Sequence, residues 1–590
     1  MKRLASTIWN NIGFVCVALV LVYCVIHAFD PPRLNWGDSG SDYNVMTAGR
    51  NFQKYGFLAM RLTPHLLDPA YMTASDPSKI YTHYPQLPDL MNGVLRVVFR
   101  MSTLVQFRFV ALAFSFSALY FVYALLVAYW ERATAQFALA LWVVNPMWIQ
   151  HADYLHHAPY GAFFGFGSIF FLSRYLRGGG QRRYLAASGA FLYLAFFASY
   201  DFWFFAPLLA MLVTLEHYRA LRAPAIRVLA TLAACALAAI LCKFATNAWV
   251  LGGIGPFLND LRFQALERSE NPSMRIAIAP GIWPTLYGRV ERCFSLLLFP
   301  VAAFWAAMPF LRARWGDRYP ALRARINNPW LLFFAAVPFL CLFVELWVSQ
   351  YYPTLLVLPF YAVACGALTA LLFAAGGLWG RRVAVVLMFA LVANSVTEVA
   401  QFKKAYFPDS AIRTLRAQLD AVSTPGQYIL TNHVFDFFYA YYFDRPTVDL
   451  ILNPPEQIEP AIAYYSDPKR PRVAPATGAI FVEDKHLADE MFDKGFYYML
   501  AHDGFWSAWG NPERYHAAID TFITQRDSML TAAVAKSGQK VFETDLYVVW
   551  RLFPPKTLST APTAPTAPKS PGSPTAIAPS AGTAAPSRRN

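Results

Sequence analysis

The stretch WGDSGSDYNVMTAGRNFQKYGF, residues 36–57, and LTPHLLDPAYMTASDPSKIYTHYPQLPDLMNGVLRVVFRM, residues 62–101, lie between two long apolar runs. Val45, Ala48, Gly49 and Phe52 fall at i, i+3, i+4 and i+7, the spacing of one helix face. A helix over Asp42–Tyr55 is expected, capped by Ser41 and ended by Gly56. In the second segment Leu87, Leu90, Met91, Val94, Leu95, Val98 and Phe99 form an apolar stripe. Asp89, Asn92, Arg96 and Arg100 lie opposite. Such a helix is too short to cross a bilayer and suits its surface.

The rest of the chain explains why a polar loop would sit there. Of the 590 residues 56% are hydrophobic and only 15% charged, and the apolar ones come in runs. The runs are 14 to 25 residues long, around the roughly 20 that carry a helix across a hydrocarbon core. They read as spans at 8–29, 107–130, 135–149, 158–172, 184–199, 202–215, 228–250, 293–311, 330–348, 354–378 and 383–399. The first, behind Lys2 and Arg3, has a long apolar core without a clear cleavage site, and is expected to remain as an anchor. The segment 251–289, between the seventh and eighth, reads as a polar loop.

The net charge of +14 could suggest nucleic acid, but its placement argues otherwise. Arginines gather in alternate links: Arg174, Arg177, Arg182 and Arg183; then Arg219, Arg222 and Arg227; then Arg312, Arg314, Arg318, Arg323 and Arg325. This is the positive-inside pattern, with no Lys/Arg-rich tail or RNA-binding signature. The seven cysteines lie in or at the edge of apolar runs, so neither a disulfide framework nor a Cys-x-x-Cys metal site is expected.

The expected fold is therefore an α-helical polytopic membrane protein of about 11 transmembrane helices, N-terminus inside. The loop 30–106 and everything beyond residue 401 would lie outside. Residues 411–552 mix a helical run, Ala411–Val422, with strand candidates at 427–430, 479–482 and 545–550, and read as a small α/β outer domain. The domains are thus 1–400, 401–554 and a Pro/Ala/Thr-rich tail, 555–590, that cannot bury a core.

Acids, histidines and tyrosines gather at the outer ends of the spans. Asp42 suits either a helix first turn or a general base at the membrane boundary. HADYLHH, with His151, Asp153, His156 and His157, could ligate zinc or be polar residues at an interface. Its spacing matches no defined metal site, and none is assigned. Tyr200-Asp201 can be a solvated turn or face a cavity. Tyr351 and Tyr352 suit the aromatic belt.

Three patterns resemble the polyprenyl-phosphate-sugar-dependent glycosyltransferases of the C superfamily, which include protein O-mannosyltransferases and the lipid A aminoarabinose transferase. They are SDYNVMTAGRNFQKYGF, THYPQLPDLMNGVLRVVF and SQYYPTLLVLPFYAVA; FDFFYAYYFDRPTVD further resembles a segment that follows the last span in that family. The family's paired acid is Ser41-Asp42 here, with Asp38 nearby to supply the second carboxylate. His157 stands where the family often has an acid, and Tyr200-Asp201 where it has a lysine.

The resemblance implies sugar transfer from a polyprenyl-phosphate donor to a hydroxyl of a lipid, glycan or protein acceptor, with inversion. The arginine placement sets this on the outer face of the cytoplasmic membrane, and the Pro/Ala-rich, Arg-rich composition suits a bacterial inner membrane. Asp42 and Asp38 would be catalytic. His83, Tyr84, Arg50, Arg96, Asp153, His157, Asp201, Tyr351 and Tyr352 would bind substrate, with cations such as His83, Arg262, Arg289 and Arg292 near the departing phosphate. No cofactor is required; a divalent metal is compatible but demanded by no motif. Rivals are an oligosaccharide ligase or polymerase, a transporter, and a non-catalytic scaffold.

Overall fold

The computed structural model describes residues 9–30, 40–66, 80–82, 84–216, 223–269, 329–342, 352–375, 377–402, 409–424, 427–432, 441–443, 445–450, 455–467, 479–485 and 512–553, with Pro69, Val290, Cys293 and Phe294. Asp38, His83, Arg289, Arg292, Tyr351, the side chain of Tyr352, most of the run 293–311, part of 330–348 and the tail 555–590 lie outside the described residues.

The N-terminal two thirds is helical. In chain order come α1 (Ile12–His27), α2 (Gly40–Tyr55), α3 (Leu87–Phe99), α4 (Leu104–Tyr129), α5 (Arg132–Val143), α6 (Pro146–His151), α7 (His157–Arg177), α8 (Arg182–Ala198), α9 (Asp201–Glu216), α10 (Ala223–Leu251) and α11 (Ile254–Ser269). After α12 (Pro329–Leu342) and a 3-10 turn (Tyr352–Leu356) follow α13 (Leu358–Ala375) and α14 (Gly377–Phe402). Stretches of α4, α10 and α14 are long and apolar enough to cross a membrane: Leu104–Tyr129, Ala225–Leu251 and Gly377–Ala400. Parts of α1, α9 and α13 are shorter apolar helices.

Packing explains why these helices form one bundle. α5 packs against α13 and α1, and α7 against α8 and α4. At Gly366 of α13 the backbones meet: an added Cβ would lie 2.6 Å from the Ala138 nitrogen. Buried Gln136 of α5 accepts the Gly13 N–H at 3.0 Å and donates to the Tyr123 hydroxyl at 3.0 Å, joining α1, α4 and α5. The Gly13 N–H lies in the first turn of α1, where no intrahelical acceptor exists.

Two segments differ from their sequence reading. The run 135–149 is broken into α5 and α6 at Asn145-Pro146, where the Asn145 side chain accepts the Met147 N–H and Pro146 opens α6. The supposed loop 251–289 starts with helix α11. Gly252 (φ +87°) and Gly253 (φ +150°) break the chain after α10. Pro256 then falls in the first turn of α11, where a missing N–H costs nothing.

The helices expected between the first two spans are α2 and α3. Gly56, at φ +85°, ends α2, and its N–H bonds the Phe52 carbonyl. α3 shows a burial pattern opposite to that of a soluble helix: Asp89, Asn92 and Arg96 are buried, while Val98 is 64% and Phe99 63% exposed. Its polar face meets protein, Leu87, Leu90 and Met91 rest half-buried against the bundle core, and Val94, Val98 and Phe99 form an exposed apolar patch that suits lipid.

The C-terminal part holds α15 (Asp409–Val422), β1 (Ile429–Thr431), β2 (Thr447–Asp449), α16 (Pro455–Ser466), β3 (Ile480–Asp484), α17 (Pro512–Ser537), β4 (Gly538–Glu543) and β5 (Tyr547–Leu552). The sheet order is β2-β1-β3-β5-β4, with β1 parallel to β2 and β3, and β5 antiparallel to β3 and β4. Alternation along the strands gives two cores. Ile429, Ile480 and Val482 face Leu415 and Leu419 of α15. Leu430 and Phe481 face Ile462 of α16 and Val534 of α17.

Candidate active site

Asp42 enters from the first turn of α2 and is 4% exposed. Its Oδ1 accepts the Leu155 N–H at 2.8 Å. Leu155 belongs to the short connection between α6 and α7, which Ser115 of α4 fixes by donating to the Ala152 carbonyl at 2.8 Å. One chain step beyond Leu155, a Cα spacing of about 3.8 Å, lies the His156-His157 pair. The connection thus brings Asp42, Asp153 and both histidines together, all buried.

The rings of His156 and His157 face each other through their Nδ1 atoms. Only one can donate, so they hold complementary tautomers. Burial pushes the His156 ring down to about 4, so it is neutral at pH 7. His157 Nε2 stands 3.6 Å from Asp201 Oδ2, where α9 begins. Tyr84 stacks on His157 with centroids 5.5 Å apart, meets His156 edge-on at 5.1 Å, and lies 5.7 Å from Tyr200. His151 accounts for its Nδ1 by donating to the Met147 carbonyl at 2.8 Å.

His151 and Asp201 line a cavity whose other walls include Ser115, Trp148, Phe205 and Leu356. Trp142 and Phe166 wall both this cavity and a second, apolar one that reaches Tyr129, Leu209 and Val363. Both cavities are largely apolar, and His151, Asp201 and Ser115 are the polar groups of the first. Leu355 and Leu356, just after Tyr352 on the 3-10 turn, wall one side of the first cavity.

Of the residues expected to bind substrate, Tyr84, His157 and Asp201 converge, with Asp153 in the turn beside them. Arg50 and Arg96 lie at a different place. Arg50 sits 5.8 Å from the Tyr441 ring centroid and donates to the Tyr441 carbonyl at 3.4 Å. Arg96 bonds Asn92 at 2.9 Å and the Tyr441 side chain, and lies over the Phe107 ring. Arg262, on α11, is exposed. Among the described residues no three of His, Cys, Asp and Glu converge as a metal site.

The sequence reading gave no site role to two buried charges, Lys243 and Asp89. Lys243 of α10 donates to the carbonyls of Thr82 at 3.1 Å and Tyr84 at 2.7 Å. Asn247, one turn on, donates to Thr82 O, and Gln86 donates to Thr246 and Asn247. One face of α10 thus grips Thr82, Tyr84 and Gln86. Asp89, 0% exposed, feels the Lys243 charge; Tyr160 feels both Asp42 and Asp89. A lone lysine in an apolar run was the signal for the first.

No family model matches this sequence, and no curated protein does. Solved structures do. ArnT from Cupriavidus metallidurans bound to undecaprenyl phosphate aligns with a TM-score of 0.53 at 13% identity, over 91% of this chain and 97% of that one. The archaeal oligosaccharyltransferase AglB from Archaeoglobus fulgidus, in complex with an inhibitory peptide and a dolichol-phosphate, aligns with a TM-score of 0.51 at 12% identity. That match covers 88% of this chain and 72% of the other. The chain has the fold of these two proteins, the fold its motifs implied, and three of its described helices are long and apolar enough to cross a membrane.

Proposed function

We propose that this protein is a membrane glycosyltransferase that moves a sugar from a polyprenyl-phosphate donor to an acceptor hydroxyl. One observation carries this: a buried cluster of Asp42, Asp153, His156, His157 and Asp201, with half-buried Tyr84 against the histidines, adjoins through Asp201 a largely apolar cavity in a helical bundle, and a second apolar cavity shares two of its walls. A substrate with a charged, sugar-bearing head and a long apolar tail fits such a site.

The Arg-rich links support the site's placement outside. α7 runs from His157 to Arg177, 21 residues. At 1.5 Å per residue that is roughly 30 Å, one hydrocarbon core. The arginines of the cytoplasmic link and the polar cluster therefore suit opposite faces of a membrane. About 11 spans, an inner-membrane location and an external C-terminal domain belong to the same proposal.

In the reaction, the acceptor oxygen bonds to the anomeric carbon as the bond from that carbon to the phosphate oxygen breaks. The phosphate leaves with the electron pair, and the Asp42 carboxylate takes the hydroxyl proton. Displacement from the opposite face inverts the anomeric centre. The Leu155 N–H fixes the carboxylate's aim. Asp38 is proposed as the accompanying acid, and His83 as a partner of the departing phosphate. The donor supplies its own leaving group, so the step as written calls for no cofactor, and a divalent metal is compatible with it.

The test is transfer of radiolabelled sugar from a panel of polyprenyl-phosphate sugars by wild type and Asp42→Asn. Transfer from one donor, lost in a folded Asp42→Asn, supports class and base together. Activity that survives in Asp42→Asn moves the base to Asp38 or Asp153. Should no donor in a broad panel serve, the proposal fails.

A further inference from the structure

Asp42 is followed by the largest fully buried side chain of α2. Tyr43 is 1% exposed and forms part of the C-terminal domain's own core, with Leu415, Leu419, Ile429, Ile480 and Val549. Its ring lies 5.7 Å from Tyr441 and 5.4 Å from Tyr442, and its side chain hydrogen-bonds Tyr442. Successive residues on a helix point about 100° apart. Asp42 accordingly turns to the Leu155 N–H of the bundle while Tyr43 turns into the domain. Farther along α2, Arg50 meets the Tyr441 ring and carbonyl, and from α3 Arg96 reaches the Tyr441 side chain. Val45 and Met46 share a smaller core with Phe107, Leu155 and Tyr441. The helix that carries Asp42 is thus held from two sides, and one of them is the C-terminal domain.

We infer that Tyr43 is a positioning residue through which the C-terminal domain sets the aim of the Asp42 carboxylate. This rests on Asp42 being the base. It gives the domain a part in the chemical step besides any role in recognising acceptors. A base must stay within hydrogen-bond reach of the proton it takes, and a misplacement of about 1 Å can cost about 100-fold in rate. Loosening the domain side of α2 would therefore slow the chemical step while leaving the donor's cavity, which none of these tyrosines lines, unchanged.

The experiment uses the full-length protein, with the donor that the panel identifies. Wild type, Asp42→Asn, Tyr43→Phe, Tyr43→Ala and Tyr442→Ala are compared for kcat, for KM of donor and acceptor, and for thermal unfolding. Tyr43→Ala and Tyr442→Ala should lower kcat about 10- to 100-fold, with both KM values within about threefold of wild type. Tyr43→Phe, which keeps the ring, should restore kcat to within about threefold. If Tyr43→Ala does not fold, Tyr442→Ala, which removes the same contact from the domain side, decides. Wild-type kcat in the alanine variants, where Asp42→Asn is inactive, overturns the inference and leaves the proposed function standing. So does a loss confined to the acceptor's KM. Full activity in Asp42→Asn removes the base assignment and this inference with it.

Discussion

Lys243, within the apolar helix α10, donates to the backbone carbonyl of Tyr84 at 2.7 Å, and so a charge in the bundle shapes a loop outside it. The same ammonium holds the Thr82 carbonyl, so the two residues flanking His83 are both tied down. A charged hydrogen bond contributes about 1.5–3 kcal/mol. Lys243→Met should therefore weaken donor binding by about tenfold or more, measured by titration of the protein with a polyprenyl-phosphate sugar. Lys243→Arg should not restore it, because a planar fork cannot replace a compact ammonium between two carbonyls. Unchanged affinity in Lys243→Met would show that the segment 82–86 plays no part in donor binding.

Where α2 crosses α3, only glycine fits at position 49. A Cβ there would lie 1.9 Å from Asn92 Oδ1 and 3.1 Å from Arg96 Nε. Asn92 in turn holds Arg96 Nε at 2.9 Å. Gly49→Ala must push Asn92 aside and break that bond; overpacking of this kind costs about 1–3 kcal/mol. Thermal unfolding in detergent should show a lower midpoint than for Gly56→Ala, whose strain is one of backbone φ with open space around it. Equal midpoints would mean that the crossing relaxes freely.

The exposed face of α3 makes a prediction about lipid. Val98→Trp places a fluorophore on that face without touching the buried polar side. In liposomes its emission should shift to the blue. Brominated lipids should quench it at a depth of about 5–10 Å, where an interfacial helix lies. Emission typical of water, with no quenching, would remove α3 from the membrane surface.

Much of this was legible in the sequence, for identifiable reasons. The stripe of Leu87 to Phe99 and the i, i+3, i+4, i+7 spacing of Val45 to Phe52 depend only on local period, and both helices are found. The direction of burial was harder. The face of α3 that holds Asp89 and Arg96 reads as water-facing until the bundle and domain are in place to cover it. The site is assembled by contacts between residues far apart in the chain. Asp42 to Leu155 spans 113 residues and Lys243 to Tyr84 spans 159, and no spacing rule reaches that far. Tyr43 is the extreme case, since its neighbour Asp42 drew attention while its own partners lie beyond residue 410.

Buried Asp89 gives the protein a stability that depends on pH with a definite sign. Neither carboxyl oxygen has a hydrogen-bond partner from another described residue, and burial pushes the group up to about 7. Its own backbone N–H and the Lys243 charge oppose the rise without cancelling it. The folded state therefore prefers the protonated acid. That contribution is fully present below the ordinary carboxylate value and is lost as pH rises through about 7. The displacement corresponds to about 4 kcal/mol. His65 and His156 act the other way, for burial holds both down at about 4. Their contribution is present above the ordinary imidazole value and is lost as pH falls toward about 4. Stability should thus peak just below neutrality, near the ordinary imidazole value. Thermal unfolding of wild type and Asp89→Asn between about pH 4 and 9 separates the two effects, because only the acid is changed. Asp89→Asn should gain stability over wild type at the alkaline end and lose that advantage at the acid end, where Asp89 is already neutral. An advantage that is constant across the range, or absent at the alkaline end, would mean that Asp89 is not held as a buried acid.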